Sequence, residues 1–187
     1  PVFQKMAYRD RPEGLLGIGP QRRRHLSDLE FKPNGLYLIA EAIEKPGNLG
    51  TILRSSDAAG VDALILCDAC TDFFNPNVVC ASIGTLFTVP IAEASTDEAI
   101  AWCREHQIQT MAATPHTDLA FTDADMTGPT AIVVGTEQYG LSDRWMREAN
   151  CQVVIPMYGL ADSLNVATST TLLIYEAVRQ RRVAGMM

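Results

Sequence analysis

Short apolar runs alternate with longer segments of helical periodicity along most of the chain. Six runs have the length and near-continuous apolar character of buried strands, at residues 35–42, 62–69, 86–93, 108–115, 130–137 and 152–157. Between and after them, apolar residues recur every three to four positions, which predicts helices at 48–60, 75–84, 96–107, 141–150 and 163–182. Apolar strands separated by helices are typical of a mostly parallel sheet with helices on both faces. The sequence therefore predicts an α/β fold.

The first 34 residues do not follow this repeating pattern. They are rich in Arg, Pro and Gly, and their one short apolar turn is GLLGIG at 14–19. A chain of 187 residues has the length of one domain, with room for an added terminal segment. We therefore expect an N-terminal extension or linker at 1–34 and the α/β domain at 35–187.

The charge of the chain is unevenly distributed. The net charge is −7, which argues against a generic coat for nucleic acid, because phosphate binding is driven by Lys and Arg. Residues 1–54 nevertheless hold nine Lys or Arg against six Asp or Glu, and Arg22, Arg23 and Arg24 are consecutive. This basic triplet is either a solvated turn or a local phosphate contact on an acidic body.

Cysteine usage and hydropathy indicate a cytoplasmic protein. The chain has five Cys, an odd number without the spacing of a disulfide scaffold, and no run of about eighteen apolar residues or secretory signal pattern. Cys67 and Cys70 form a CxxC pair, but a tetrahedral metal site needs two further ligands that no second pair supplies. We therefore predict ordinary cysteines at a strand end and no metal.

Three polar, glycine-containing loops follow predicted strands and lead into helices. They are EKPGNLG at 44–50, GTEQYGLS at 135–142 and MYGLADSLN at 157–165. In open parallel sheets, ligands bind beyond the carboxyl ends of the strands, where such loops lie. The second loop is not a phosphate-binding P-loop, since Leu141 replaces the required Lys, and it lacks the Ser of a nucleophile elbow.

Particular side chains in these loops are candidates for chemistry. We expect Asn48 to cap its helix and Arg54 to project from the flank of a buried stripe, where a lone Arg is most simply a solvated residue. Glu137 directly follows a buried strand, so it either faces the ligand crevice or pairs with a cation. Ser163 and Asn165 are most simply read as capping residues at the start of the last helix.

Taken together, the loops resemble a known family. The segments EKPGNLGTILRSSDAAGVDALIL, AIVVGTEQYGLS and VVIPMYGLADSLNVATSTTLLIYEA are similar, in order and spacing, to the three motifs of the SpoU (TrmH-like) RNA ribose 2′-O-methyltransferases of the SPOUT superfamily. The resemblance covers roughly residues 35–182. One such motif would be weak support, whereas three long ones in the right order are specific.

The resemblance implies an activity, a knotted fold and an assembly. Members transfer a methyl group from S-adenosylmethionine to a ribose 2′-hydroxyl of tRNA or rRNA, without a metal. Their α/β domain ends in a C-terminal trefoil knot, and they form homodimers in which the partner chain completes each active site. Many carry an N-terminal RNA-binding domain, so residues 1–34 are interpreted as the possible tail of one, ahead of a SPOUT methyltransferase domain at 35–187.

The resemblance also assigns residue roles. The motif positions implied to act in catalysis are Asn48, Arg54, Glu137, Ser163 and Asn165. The backbone positions implied to hold the cofactor are Gly135, Ile155 and Leu164. Because a guanidinium stays protonated, we expect Arg54 to grip a phosphate and stabilise the developing oxyanion. Ala167 departs from a position that is often Ser, where we expect consequences for packing and not for chemistry.

Two other functions remain as alternatives. One is a non-catalytic RNA-binding domain that keeps the fold, which the intact motif residues argue against. The other is a dinucleotide-binding oxidoreductase, which lacks the GxGxxG fingerprint after any predicted strand.

Overall fold

The structure is a computed structural model that describes residues 2–8 and 14–186. The described residues form a six-stranded sheet in which every neighbouring pair is parallel, in the order β3-β2-β1-β5-β4-β6. The strands are β1 Leu36–Glu41, β2 Ala63–Cys67, β3 Ile91–Ala94, β4 Gln109–Ala113, β5 Thr130–Val134 and β6 Cys151–Val153. The predicted parallel α/β sheet is confirmed.

Helices cover both faces of this sheet, as the pattern predicted. They are α2 Pro46–Ala59, α3 Pro76–Ser82, α4 Thr96–Glu105, α5 Asp143–Glu148 and α6 Val166–Val183, whereas α1 Val2–Met6 near the N-terminus buries none of its residues. One apolar cluster joins alternate strand residues to α2, α3 and α6, and a second joins the opposite strand residues to α4 and α5. Because successive residues of a strand point to opposite faces, near-continuous apolar strands are what two such clusters require.

Several predicted element boundaries are wrong: β6 ends at Val153 and not at 157, α6 begins at Val166 and not at 163, and two further differences have a clear local cause. The run at 86–93 is strand only from Ile91, because Thr85–Phe87 forms a 3-10 turn. Ile83 and Gly84, which precede this turn, both have positive φ. Helix α2 begins at Pro46, two residues before Asn48, because a proline is pre-organised for the first helical position. Asn48 is therefore inside the helix, and its side chain does not cap the helix.

The N-terminal segment lies against the sheet edge formed by β3. Residues 14–25 contain no helix or strand and lead into a 3-10 turn at Leu26–Asp28. Arg23 donates to Glu93 at 2.8 Å and to Asp72 at 2.8 Å, which anchors the segment. The assignment of 1–34 as an extension of a separate domain stays a prediction, as does the trefoil knot.

The strand order places a crevice in the middle of the sheet. The chain leaves β1 towards β2 and β3 on one side, whereas β5, β4 and β6 lie on the other side. Strands β1 and β5 are therefore neighbours whose following loops diverge, which is where open α/β sheets bind ligands. None of the described helices is both long and apolar enough to cross a membrane.

The close packing of α2 against α3 gives a test of this architecture. A Cβ added at Gly50 would overlap the Ala81 side chain and lie 2.9 Å from the Ala81 carbonyl carbon, whereas one at Gly47 would meet no atom within 4 Å. We expect Gly50→Ala to lower the free energy of unfolding by about 1–3 kcal/mol, because the helices must separate. Gly47→Ala, in the same helix, should cause no loss. Urea unfolding of both variants measures this, and equal stabilities would contradict the packing described.

Candidate active site

A tight turn after β5 presents Glu137 at the central crevice. The Thr136 N–H donates to the Gly140 carbonyl at 3.0 Å and the Gly140 N–H donates back to Thr136 at 3.1 Å, so the turn closes on itself. Gly135 is buried beneath it, and a Cβ there would overlap the Gly140 carbonyl oxygen. Glycine at 135 is therefore required for the turn that carries Glu137.

The Glu137 carboxylate joins all three motif loops. The Asn48 and Asn165 side-chain amides donate to its Oε1 at 2.8 and 2.6 Å, and the Lys45 ammonium donates to its Oε2. The Asn165 amide also approaches the Asn48 side-chain oxygen at 3.2 Å. Asn48, Glu137 and Asn165, which are far apart in sequence, thus form one hydrogen-bonded cluster.

Asn165 uses both ends of its side chain. Its oxygen accepts from the Ala167 N–H at 3.0 Å and caps α6, as expected, while its amide nitrogen donates to Glu137. Capping by Ser163, however, is wrong: its exposed hydroxyl donates to Asp162 at 3.2 Å and contacts no helix N–H.

The hydroxylic residues after Asn165 bond within and beside the first turns of α6. The buried Thr170 hydroxyl donates to the Val166 carbonyl at 2.7 Å, and the Thr171 hydroxyl donates to the Ala167 carbonyl at 2.8 Å. Thr171 also lies 2.7 Å from the Ser55 hydroxyl of α2. Ala167 is itself buried at 2 % exposure, so small residues here permit close packing of α6 against α2 and the core.

Electrostatics keep Glu137 ionised. The hydrogen bond from Lys45 is the largest of the effects that lower the pKa of Glu137. Partial burial raises this pKa, and the hydrogen bond from the Asn48 amide lowers it further, so the net direction is down. The Glu137 side chain is 27 % exposed and that of Lys45 is 68 % exposed, so the pair lies at the mouth of the crevice. A carboxylate whose two oxygens already accept hydrogen bonds is a weak base.

The sequence reasoning missed two residues of this region. One is Lys45. It directly precedes Pro-Gly-Asn in the first loop, and only this position could have indicated its contact with the site. The other is Glu41, a buried carboxylate at the end of β1. It accepts from the Ser142 N–H and hydroxyl, each at 2.7 Å, and from the Thr96 hydroxyl at 2.8 Å. Glu41 therefore fixes the far end of the Glu137 loop.

Arg54 is not brought to this cluster within the chain. It lies six residues beyond Asn48 in α2, a displacement of about 9 Å along the axis and about 120° around it. It shares the helix side of Gly50 and Asp57, which approach α3 and Thr88, and not the side of Ser55, which faces α6. The guanidinium is exposed and makes no hydrogen bond or ion pair with another residue in the described part of the chain.

Two of the three positions expected to hold a cofactor are close in sequence to cluster residues, Gly135 to Glu137 and Leu164 to Asn165. Gly135 is buried at the end of β5, Ile155 is partly buried against the core, and Leu164 is 37 % exposed. Across 155–164, no backbone group hydrogen-bonds another described residue. This segment therefore offers a continuous series of free donors and acceptors to a polar ligand.

The cysteines show no arrangement for a metal. Among residues 2–8 and 14–186, no three or more His, Cys, Asp or Glu side chains are grouped to hold an ion. Cys67 is buried at the end of β2, where burial raises the pKa of its thiol, and Cys70 is exposed. A buried neutral thiol suits a core residue better than a ligand.

The parallel sheet, with the hydrogen-bonded cluster of Asn48, Glu137 and Asn165 at its central crevice, can now be compared with known families. The chain belongs to the SpoU rRNA Methylase family, whose sequence profile matches residues 35–175. The resemblance drawn from the three motifs is thereby confirmed.

Particular relatives can be named within that family. The chain is 39 % identical over 176 residues to the 23S rRNA (uridine(2479)-2′-O)-methyltransferase of Streptomyces viridochromogenes, covering 91 % of this chain and 61 % of that protein. It is 35 % identical over 158 residues to the 23S rRNA (guanosine-2′-O-)-methyltransferase RlmB of Shewanella oneidensis, covering 83 % and 62 %. The chain thus spans about three fifths of the length of these relatives.

Solved structures give the same fold. The SpoU methyltransferase AviRb from Streptomyces viridochromogenes, in complex with AdoMet, superposes with a TM-score of 0.82 at 34 % identity, covering 87 % of this chain and 66 % of that one. An AdoMet-bound rRNA methyltransferase from Sinorhizobium meliloti has a TM-score of 0.81 at 37 % identity, covering 85 % and 61 %.

The Lys45–Glu137 contact can be tested by titration. In Lys45→Met, the largest cause that lowers the pKa of Glu137 is removed, so its carboxyl should become protonated at higher pH than in the wild type. NMR titration of the side-chain carboxyl carbons measures the midpoint. Lys32→Met, which removes the partner of Asp62 elsewhere, is the matched control and should leave Glu137 unchanged. An unshifted Glu137 midpoint in Lys45→Met would refute the assigned role of Lys45.

Proposed function

We propose that this chain catalyses S-adenosylmethionine-dependent methylation of a ribose 2′-hydroxyl in rRNA or tRNA. The observation that carries the proposal is the hydrogen-bonded cluster of Asn48, Glu137 and Asn165, in which the three family motifs meet at the central crevice. The relatives named as rRNA 2′-O-methyltransferases support the reaction class. An enzyme acting on these RNAs is expected in the cytoplasm.

The residues around the crevice fit the proposed cofactor. S-adenosylmethionine supplies an electrophilic methyl group on a positively charged sulfonium, and its adenine, ribose and amino-acid parts need many hydrogen-bond partners. The unpaired backbone of 155–164 can supply such partners, with Gly135, Ile155 and Leu164 as the contact positions. The ionised Glu137 nearby favours a cationic ligand over an anionic one.

We assign Glu137 an organising role and not that of the base. Its lowered pKa and its saturated oxygens leave it little tendency to accept the proton of a ribose hydroxyl. It instead holds Asn165, and through Asn165 the start of α6, against α2. The proton can leave through an RNA phosphate or a water molecule, and the exposed Ser163 hydroxyl is available to orient the ribose.

Arg54 acts, in this proposal, in the active site of a second copy of the chain. It has no partner among the described residues and lies away from the Glu137 cluster of its own chain. As a permanently charged fork, it can grip a phosphate and stabilise the oxyanion that forms as the 2′-hydroxyl loses its proton. A homodimer with shared sites would therefore give this arginine, on the outer flank of α2, a site in which to act.

The outer face of α6 is the proposed dimer contact. Leu173 and Ile174 are fully buried in the core, whereas Leu172 and Tyr175 are 41 % and 44 % exposed on the opposite side. Apolar residues on more than one face of a helix indicate that a second surface is covered by another partner. This face adjoins α2 through the Ser55–Thr171 contact, on a different side of α2 from Arg54.

Transfer of a labelled methyl group is the direct test of the proposed function. With S-adenosylmethionine labelled in the methyl group and transcribed 23S rRNA or tRNA, we expect label at a ribose 2′-oxygen, inhibited by S-adenosylhomocysteine and unaffected by EDTA. RNA binding without transfer to any rRNA or tRNA would favour the non-catalytic alternative. Cofactor binding that EDTA abolishes and zinc or magnesium restores would contradict the metal-free site.

Variants of Arg54 test its role in the transition state. Arg54→Ala should leave cofactor affinity nearly unchanged, because other loops hold the cofactor, while methyl transfer falls by orders of magnitude. Arg54→Lys should recover little, because an ammonium lacks the planar fork.

A purified mixed dimer locates Arg54. If sites are shared, a dimer of one Arg54→Ala chain and one Asn165→Ala chain has one site with both defects and one intact site, giving about half the wild-type activity. The two homodimeric variants are the controls. If the mixed dimer is as inactive as they are, Arg54 acts within its own chain.

A further inference from the structure

The turn that carries Glu137 also presents a large aromatic ring to solvent. Tyr139 is 77 % exposed, although it lies only two residues beyond the carboxylate of the central cluster. Two residues of extended chain span at most about 7 Å, so the Tyr139 backbone is close to the site. Nothing in the mechanism above uses this ring.

The backbone beneath the ring is fixed. The Tyr139 N–H donates to the Thr136 hydroxyl at 2.9 Å, and two backbone hydrogen bonds close the turn between Thr136 and Gly140. Gly140 has the positive φ of 69° that the turn requires, and Gly135 is packed beneath it. At the far end of the loop, Glu41 holds Ser142. The ring is therefore exposed on a rigid support and not on a loosely held loop.

A rigid exposed aromatic suits a partner with flat faces. RNA is read mostly in unpaired segments, whose bases stack on aromatic side chains, and each base offers such a face whatever its identity. A support that is ordered beforehand lowers the entropy lost when a base stacks on it. Because a ribose acceptor has to be held in place beside the cluster, a stacking contact next to Glu137 serves the reaction directly.

We propose that the Tyr139 ring stacks on a base of the RNA strand next to the ribose that is methylated. This inference rests on the proposed function, and it adds a specific RNA contact to it. The cofactor contacts proposed above come from Gly135, at the base of the turn, and from 155–164, whereas Tyr139 lies towards the tip. The proposed dimer face is on α6 and does not include Tyr139, so the Tyr139 ring can contact the RNA substrate.

The experiment compares three variants of the same turn. Tyr139→Ala removes the ring, Tyr139→Phe keeps it without the hydroxyl, and Gln138→Ala changes the exposed neighbour without touching a ring. Binding is measured with a fluorescent single-stranded oligoribonucleotide of mixed sequence containing 2-aminopurine, whose emission reports stacking, and with transcribed 23S rRNA. Cofactor affinity and sedimentation are measured in parallel.

We expect Tyr139→Ala to weaken RNA binding by roughly 5- to 150-fold and to abolish the 2-aminopurine change, since stacking contributes about that much per base. Tyr139→Phe and Gln138→Ala should bind within about twofold of the wild type, and all three should keep cofactor affinity and oligomeric state. RNA binding by Tyr139→Ala equal to that of the wild type overturns the proposal. Loss of cofactor affinity in parallel assigns the ring to the cofactor, and a changed oligomer assigns it to the dimer.

The outcomes also separate this inference from the proposed function. Methyl transfer with an unchanged KM for RNA in Tyr139→Ala would keep the function and reject the stacking. RNA binding that depends on the ring, without methyl transfer in the wild type, would keep the stacking and reject the function.

Discussion

The ionised Glu137 carboxylate is the contact on which the site depends. Two amides and an ammonium, from Asn48, Asn165 and Lys45, converge on its two oxygens. Without that negative charge, the starts of α2 and α6 would bring polar groups together with no common acceptor. Hydrogen bonds to a charged group are stronger than those between neutral groups, so these contacts tie the two helix starts to one acceptor. The site is therefore organised by mutual hydrogen bonding around one carboxylate.

The first turn of α6 shows what this arrangement costs in local helix stability. Thr and Val are mediocre helix formers, and α6 begins with several of them. The structure gives two of them a reason: the Thr170 and Thr171 hydroxyls donate to carbonyls of the same helix, and Thr171 also contacts Ser55 of α2. Small side chains let α6 approach α2 closely enough for Asn165 to reach Glu137. Tertiary contacts thus override propensity where the chain must hold a site.

Much of the fold could be predicted from the sequence, because the periodicity of apolar residues indicates which faces of each strand and helix are buried. The six strands and the helices on both faces follow from the apolar patterns, and the parallel sheet places the three motif loops at its carboxyl edge, whereas the hydrogen bonds among Asn48, Glu137 and Asn165 appear only in the structure. The wrong boundaries arose where local backbone chemistry decides: Pro46 starts α2 before the predicted cap, and the positive φ of Ile83 and Gly84 delays β3. The contact of Lys45 was not predicted because a single exposed Lys belongs to no periodic pattern. Its role becomes visible only when the fold places Glu137 beside it.

The position of the Arg54 side chain is set by a further constraint, the geometry of helix α2. One helix cannot direct Asn48 and a residue six positions later to the same point, since they differ by about 120° around the axis. The helix side of Asn48 faces α6, whereas the side of Arg54 lies towards α3 and is open to solvent. If both residues serve one reaction, the proposed dimer accounts for this separation, because a second copy of the chain would bring its Arg54 to the site that Asn48 helps to form.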